Sequence, residues 1–147
     1  TDIGSGGGMP GIIVAIILKN MKNNMNVHLY EKSYHKSHFL EEVSKKLNLN
    51  TKIFQKNIFE IKNLETGTIM SRAFKPMPVV LNLVYENFSK YKNLIFFMGK
   101  SGKKIFENSK IICDIITGKI IGITENFVVN AKPNITPVSN EFFRPPS

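Results

Sequence analysis

The sequence predicts an α/β fold: a doubly wound, mainly parallel sheet that finishes in an antiparallel C-terminal strand or hairpin. Three observations predict it. Short apolar, β-branched runs alternate four or five times with segments of helical spacing, the rhythm of βαβ units. A glycine-rich stretch separates the first run from the first helix, where sheets of this kind bind ligands. The chain has 147 residues, 42% of them hydrophobic and 21% charged, enough for one domain with a real core.

The elements follow in order. Thr1-Asp2-Ile3 reads as the end of a strand that starts upstream, so the domain is expected to be N-terminally incomplete. Pro10 to Asn20 is apolar nearly all round, as a helix buried against a sheet would be, with Pro10 in its first turn. Asn26 to Glu31 is a short strand. Ser33 then caps a helix whose apolar positions Phe39, Leu40, Val43 and Leu47 recur at helical spacing. Thr51 to Gln55 and Gly67 to Ser71 are the third and fourth strands. Pro78 to Tyr91 is a helix with Val79, Leu83 and Val84 on one face, and Asn93 to Met98 has the composition of a buried central strand. Ile111 to Ile123 is β-branched around Thr117-Gly118-Lys119, a hairpin turn. The domain is expected over residues 1–130. A poorly ordered tail is expected over 131–147, broken by Pro133, Pro137, Pro145 and Pro146.

Charge and composition narrow the function classes. Lys and Arg outnumber Asp and Glu by 20 to 11, a formal charge of +9, which suits a polyanionic partner such as nucleic acid. The excess is almost all Lys in an Asn- and Ile-rich chain, so compositional drift accounts for it equally well. The single cysteine, Cys113, excludes an internal disulfide and a cysteine-based zinc site, and suits a reducing compartment. The longest apolar run, Ile12 to Leu18, is far too short to span a bilayer, and it follows glycines rather than a basic leader. A cytoplasmic, non-membrane protein is expected. Asn87-Phe88-Ser89 and Asn134-Ile135-Thr136 match the glycosylation pattern by chance in such a chain.

The informative stretch is Asp2-Ile3-Gly4-Ser5-Gly6-Gly7-Gly8-Met9-Pro10-Gly11, with five glycines in eight positions at a strand–helix junction. Two cofactors compete for it. Gly6-x-Gly8-x-x-Gly11 matches the dinucleotide fingerprint, which would make the chain a nicotinamide-dependent oxidoreductase. Asp2-x-Gly4-x-Gly6-x-Gly8 matches the first motif of S-adenosylmethionine-dependent methyltransferases. An acid at the strand end suits a cationic sulfonium and would repel a pyrophosphate, which favours the methyl donor. Glu31, at the end of the second strand, serves either ribose. Gly99-Lys100-Ser101 is no phosphate loop, because the glycine required five residues upstream is Leu94. His28, His35 and His38 have no partners completing a metal set, so no metal is expected.

A more specific resemblance covers residues 2 to about 102. Asp2 to Ile12 resembles the first motif of the bacterial 16S ribosomal RNA guanine-N7 methyltransferases, the RsmG or glucose-inhibited division protein B (GidB) family; the Pro-Gly after the glycines is its most characteristic part. Tyr30-Glu31-Lys32-Ser33 with Phe39-Leu40-Glu41-Glu42-Val43 and Leu47-Asn48-Leu49-Asn50 resembles the second block, and Ser71-Arg72-Ala73-Phe74 the fourth-strand block. The resemblance implies methyl transfer from S-adenosylmethionine to guanine N7 of 16S ribosomal RNA in the small subunit. It implies cofactor contacts by Gly4, Met9, Ile58, Phe59 and Arg72, and the loop and second strand add Asp2, Ser5, Gly6, Gly8 and Glu31. The family usually has an acid where Phe59 stands, and Met98-Gly99-Lys100 replaces its Leu-Lys-Gly. No match is apparent beyond about Lys110, and the resemblance leads to the expectation that the family's N-terminal helical extension is missing.

Guanine N7 has a free lone pair, so its methylation needs positioning and no general base. No catalytic residue is therefore expected, apart from Arg72 as a substrate or cofactor contact. Lys32, Lys36, Lys100, Lys103 and Lys104, with Lys45 and Lys46, are candidate RNA contacts, and Phe74 a candidate base-stacking platform. A monomer is expected. A catalytically inactive RNA-binding remnant is the reading from a different class.

Overall fold

The computed structural model describes residues 1–99, and the backbone alone of 120–123 and 126–129. Within these the chain runs β1 (Asp2–Ile3), α1 (Gly11–Asn20), β2 (Val27–Tyr30), α2 (Tyr34–Lys46), β3 (Thr51–Phe54), a 3-10 turn (Ile58–Glu60), β4 (Leu64–Glu65), β5 (Thr68–Arg72), α3 (Met77–Asn87), β6 (Phe88–Lys90), β7 (Asn93–Phe97), β8 (Ile120–Ile123) and β9 (Asn126–Val129). Five strands form one parallel sheet in the order β3-β2-β1-β5-β7. Chain order reverses at β1, and ligands bind beyond the carboxyl ends of strands at such a switch point.

Side chains alternate across the sheet, as the pleat requires. Ile3, Tyr30, Ile69, Leu94 and Phe96 point to the α3 side, where they pack with Val80, Leu83 and Val84. Val27, Leu29 and Met70 point the other way, onto Ile12 and Ala15 of α1 and Leu40 of α2. Helices therefore cover both faces, which is the doubly wound arrangement expected.

Several local expectations need correction. α1 is not buried all round: Ile13 and Ile17 are about half exposed, because only one side of the helix meets the sheet. Pro10 sits at its N-cap, one residue before the first turn. In α2 the buried face is Ser37, Leu40 and Ser44, while Phe39 and Leu47 are exposed. Small hydroxylated residues let this helix lie close, and Ser44 Oγ hydrogen-bonds Thr51 Oγ1 on β3. α3 ends at Asn87 rather than Tyr91, since Phe88 turns extended and β6 pairs in parallel with β4. β7 is the last of the five hydrogen-bonded strands, with β9 running beside it, and the short β1 takes the middle of the five. The C-terminal hairpin is antiparallel but pairs Ile120 with Val129 and Ile123 with Asn126. Thr117-Gly118-Lys119, Cys113 and the tail over 131–147 lie outside the described residues.

Candidate functional site

The carboxyl ends of four parallel strands surround one cleft of about 630 Å³, within the size range of small-molecule sites. The loop after β1 contributes Gly4, Ser5, Gly6, Gly7 and Met9. The end of β2 and the start of α2 add Tyr30, Glu31, Lys32 and Lys36; Lys56 to Phe59 follow β3, and Arg72 to Lys75 follow β5.

Hydrogen bonds fix the glycine loop. At the end of β1 the chain turns through Gly4, whose φ of 70° suits glycine. A Cβ there would also lie 2.1 Å from the Phe74 ring, so only glycine admits that close approach. The N–H groups of Gly4 and Ser5 both donate to the Tyr30 carbonyl, at 3.0 and 3.1 Å, tying the loop to β2. Gly6 N–H donates to Glu31 Oε2 at 2.9 Å, and Ser33 N–H to Glu31 Oε1 at 2.8 Å. Each Glu31 oxygen therefore holds one backbone donor and keeps a further lone pair for a ligand. Ser33 occupies the N-cap of α2, but its side chain makes no capping bond.

Asp2 and Gly8 are placed away from the cleft lining, unlike Gly4, Ser5, Gly6, Met9, Glu31, Ile58, Phe59 and Arg72. Gly8 has a φ of 93°, and a Cβ added there would run into Ile12 and Leu40. Asp2 is 1% exposed and lies under the loop. Its Oδ2 accepts the Gly11 N–H at 3.0 Å, while Oδ1 has no partner among the described residues. Burial pushes its carboxyl up to about 6, against the opposing pull of the Gly11 hydrogen bond, the Ser5 hydroxyl and Arg72. The contact expected between Asp2 and a cationic ligand is not made by this geometry. Its carboxylate instead closes the first N–H of α1.

The cleft mouth is cationic. Lys32, Lys36, Lys56, Arg72 and Lys75 line it and are exposed, with Glu31 the one acid among the lining residues. None of these five makes an ion pair among the described residues, where Lys62–Glu86 is the pair formed by a lysine. Lys56, Asn57 and Lys75 escape the sequence reading because they belong to no motif. The signal that could find them is position, since they follow β3 and β5 as Lys32 follows β2. Phe59 and Phe74 form an aromatic pair across the cleft, with centroids 6.0 Å apart. Lys45 and Lys46 lie in the last turn of α2 and do not line the cleft. Lys100, Lys103 and Lys104 fall outside the described residues.

The histidines do not converge. His38 is exposed and pairs along α2 with Glu41 and Glu42, and His28 on β2 meets the Phe54 ring edge-on. No group of three His, Cys, Asp or Glu among the described residues could hold a metal ion.

A family model described as GidB, rRNA small subunit methyltransferase G, matches residues 1–125. The chain belongs to the GidB family. The match reaches beyond Lys110, where the sequence motifs fade, and takes in β8 as well. One GidB-family relative, the ribosomal RNA small subunit methyltransferase G of Pelagibacter ubique (strain HTCC1062), is 58% identical over 134 residues, 90% of this chain and 63% of its own length. That of Jannaschia sp. (strain CCS1) is 30% identical over 100 residues, 68% of this chain and 47% of its own. The chain thus spans less than two thirds of these GidB-family relatives. Among solved structures, M. capricolum TrmK in complex with S-adenosyl-homocysteine superposes with a TM-score of 0.59 at 14% identity, covering 95% of this chain and 64% of that one. The ribosomal protein L11 methylase of Lactobacillus delbrueckii subsp. bulgaricus gives 0.60 at 15% identity, covering 88% and 66%. Both likenesses are of fold.

Proposed function

We propose that this cleft binds S-adenosylmethionine, and that the protein transfers its methyl group to guanine N7 of 16S ribosomal RNA in the small subunit. The observation that carries the choice of cofactor is the Asp2–Gly11 hydrogen bond. A dinucleotide rests its pyrophosphate on the N-terminus of the helix after the glycine loop. Here a buried carboxylate takes the first of those N–H groups and the Gly8 carbonyl takes the Ile12 N–H. Those two donors are thereby taken from a phosphate, whereas a cofactor without phosphate does not need them. The acid at the strand end thus favours the methyl donor by closing the anion site rather than by touching the ligand.

The residues present fit the cofactor. Glu31 has free lone pairs for the ribose hydroxyls. Ile58 and Phe59 would offer an apolar wall to the adenine, Gly4, Ser5, Gly6 and Met9 would line the methionine moiety, and Arg72, which lines the same cleft, would supply a cation for its carboxylate. When bound, S-adenosylmethionine supplies an electrophilic methyl on a positively charged sulfur. What the chain itself must do is hold the guanine so that its N7 lone pair meets that carbon in line, and exclude water. No residue has to remove a proton before attack. The cations at the mouth suit RNA phosphates, and Phe74, which lines the same cleft, is the candidate to meet a base. This reading brings with it a cytoplasmic protein acting as a monomer. No helix among the described residues is long and apolar enough to cross a membrane.

The decisive experiment has two arms. Calorimetry should detect S-adenosylhomocysteine binding and no response to NAD. The full-length protein should then transfer tritiated methyl to small subunits lacking the modification. Arg72→Lys, which keeps charge but loses the planar guanidinium fork, should lower transfer while hardly changing nonspecific RNA affinity. Full activity in Arg72→Lys would remove that residue from the site. Cofactor binding without any transfer by the full-length protein would leave an RNA-binding remnant in place of an enzyme.

A further inference from the structure

The adenine wall of the cleft is a weak element by itself. It is a three-residue 3-10 turn, Ile58–Glu60, whose N-cap bond, from Phe59 N–H to Asn57 Oδ1, is long at 3.4 Å. Within the turn, Glu60 N–H donates to the Asn57 carbonyl at 3.1 Å and Asn57 Nδ2 to Glu60 Oε1 at 2.8 Å, and a further hold comes from another helix. Asn87, the last residue of α3, is 1% exposed, and its Nδ2 donates to the carbonyls of Ile58 at 3.0 Å, Phe59 at 3.1 Å and Ile61 at 2.6 Å. Its Oδ1 accepts from Lys62 Nζ at 3.2 Å. The same ammonium reaches Glu86 Oε2 at 3.5 Å, and Glu86 Oε1 accepts from Asn82 Nδ2 at 2.8 Å.

One buried amide thus gathers three carbonyls of the segment whose side chains Ile58 and Phe59 face the cleft. Nothing in the stability of α3 requires this, because a helix can end on water or on its own backbone. A buried amide fixes the acceptors it serves: the Ile58 carbonyl also takes the Ile61 N–H, but those of Phe59 and Ile61 would lose the amide donor if the segment moved. Asparagine suits this role because the two hydrogens of its NH2 can be shared among the three carbonyls, whereas aspartate of the same shape would repel them.

We infer that Asn87 is a positioning residue for cofactor recognition, setting the depth and tilt of the Ile58–Phe59 wall against the adenine without touching the ligand. Lys62 orients the amide through its Oδ1. The inference rests on the assignment of S-adenosylmethionine to the cleft.

The test uses the chain as it stands, with S-adenosylhomocysteine and adenosine as probes, measured by calorimetry at a temperature where circular dichroism shows every variant folded. Asn87→Ser should weaken both ligands at least tenfold and by the same factor, because the loss falls on the adenine they share. Lys62→Met keeps the alkyl stem and all three carbonyl bonds but leaves Oδ1 unpartnered; it should weaken both by about threefold. Asn82→Ala, at the outer end of the network, should change neither by more than about twofold. A merely structural asparagine would lower the melting temperature and leave both affinities unchanged in the folded variants, and that result would overturn the inference. Should Asn87→Ser not fold, unchanged affinities in Lys62→Met overturn it equally. If the wild type binds neither probe, the cofactor assignment fails and the inference falls with it.

Discussion

Gly11→Ala tests how α1 is seated against the sheet, and competing effects can be weighed from the structure. Alanine is the better helix former by about 1 kcal/mol, so propensity alone predicts stabilisation. Geometry opposes it. A Cβ at Gly11 would lie 2.2 Å from Leu29 Cδ2, 2.7 Å from Asp2 Oδ2 and 3.0 Å from Asp2 Cβ. Leu29 and Asp2 are both almost wholly buried, so neither can swing into solvent to make room. Overpacking of this kind costs about 1–3 kcal/mol. Displacing Asp2 also weakens a hydrogen bond to a carboxylate, worth about 1.5–3 kcal/mol. Steric and polar losses together outweigh the propensity gain, and a net destabilisation of about 2–4 kcal/mol is expected. Gly7→Ala is the control. No atom lies within 4 Å of its Cβ position and its φ is not left-handed, so restricting the unfolded chain should leave it neutral or about 0.4–1 kcal/mol more stable. Urea unfolding with an unchanged m-value reads both. Equal stability of Gly11→Ala and wild type would refute the tight seating of α1 on β1 and β2.

Three further outcomes follow from the site. Glu31→Ala removes the acceptor for the ribose and for the Gly6 and Ser33 N–H groups, and charge-assisted bonds are worth about 1.5–3 kcal/mol each; S-adenosylhomocysteine should bind more than tenfold more weakly by calorimetry, and a change below about twofold would move the ribose elsewhere. Lys56→Ala with Lys75→Ala should flatten the salt dependence of single-stranded RNA binding by about 1.4 in log–log slope, about 0.7 per lost phosphate contact; an unchanged slope would take both lysines off the RNA path. Asp2 has its carboxyl raised to about 6 from 3.8, so the folded state holds its proton the more tightly. Its contribution is therefore fully present below about pH 4 and lost as pH rises through about 6, by about 3 kcal/mol. Unfolding measured against pH should show that slope in wild type and lose most of it in Asp2→Asn; parallel curves would mean that Asp2 is not buried as described.

The strands and the glycine loop were legible because their signals are local. The run of glycines marks the turn after β1 whatever surrounds it, and Ser71-Arg72-Ala73-Phe74 places the end of β5 by motif. Burial was less legible. Phe39 and Leu47 carry the helical spacing of α2, yet Ser37 and Ser44 meet the sheet, because close approach to β3 rewards small side chains over large ones. β4 and β6 are two and three residues long, too short for any periodicity, and exist only because each finds the other. Asn87 fits the same pattern. In the sequence it is one more asparagine in an Asn-rich chain and part of a chance glycosylation match. Its role appears only once α3 and the segment after β3 lie side by side. Lys56 and Lys75 are hidden in the same way among the other lysines.

The place of β1 in the sheet has a kinetic consequence. Asp2 pairs with Leu29 on one side and Met70 on the other, so the first strand of this chain cannot complete the sheet until β5 has been made and brought back to it. Pairings so distant in sequence carry a large loop-closure entropy and slow the search for the native state. During synthesis Asp2 and Ile3 must wait, unpaired on one edge, while most of the described chain emerges. The ligand loop hangs directly from this strand. Competence to bind therefore arrives with the closing of the sheet, and a ligand gripping that loop would act as a latch, slowing unfolding more than it hastens folding.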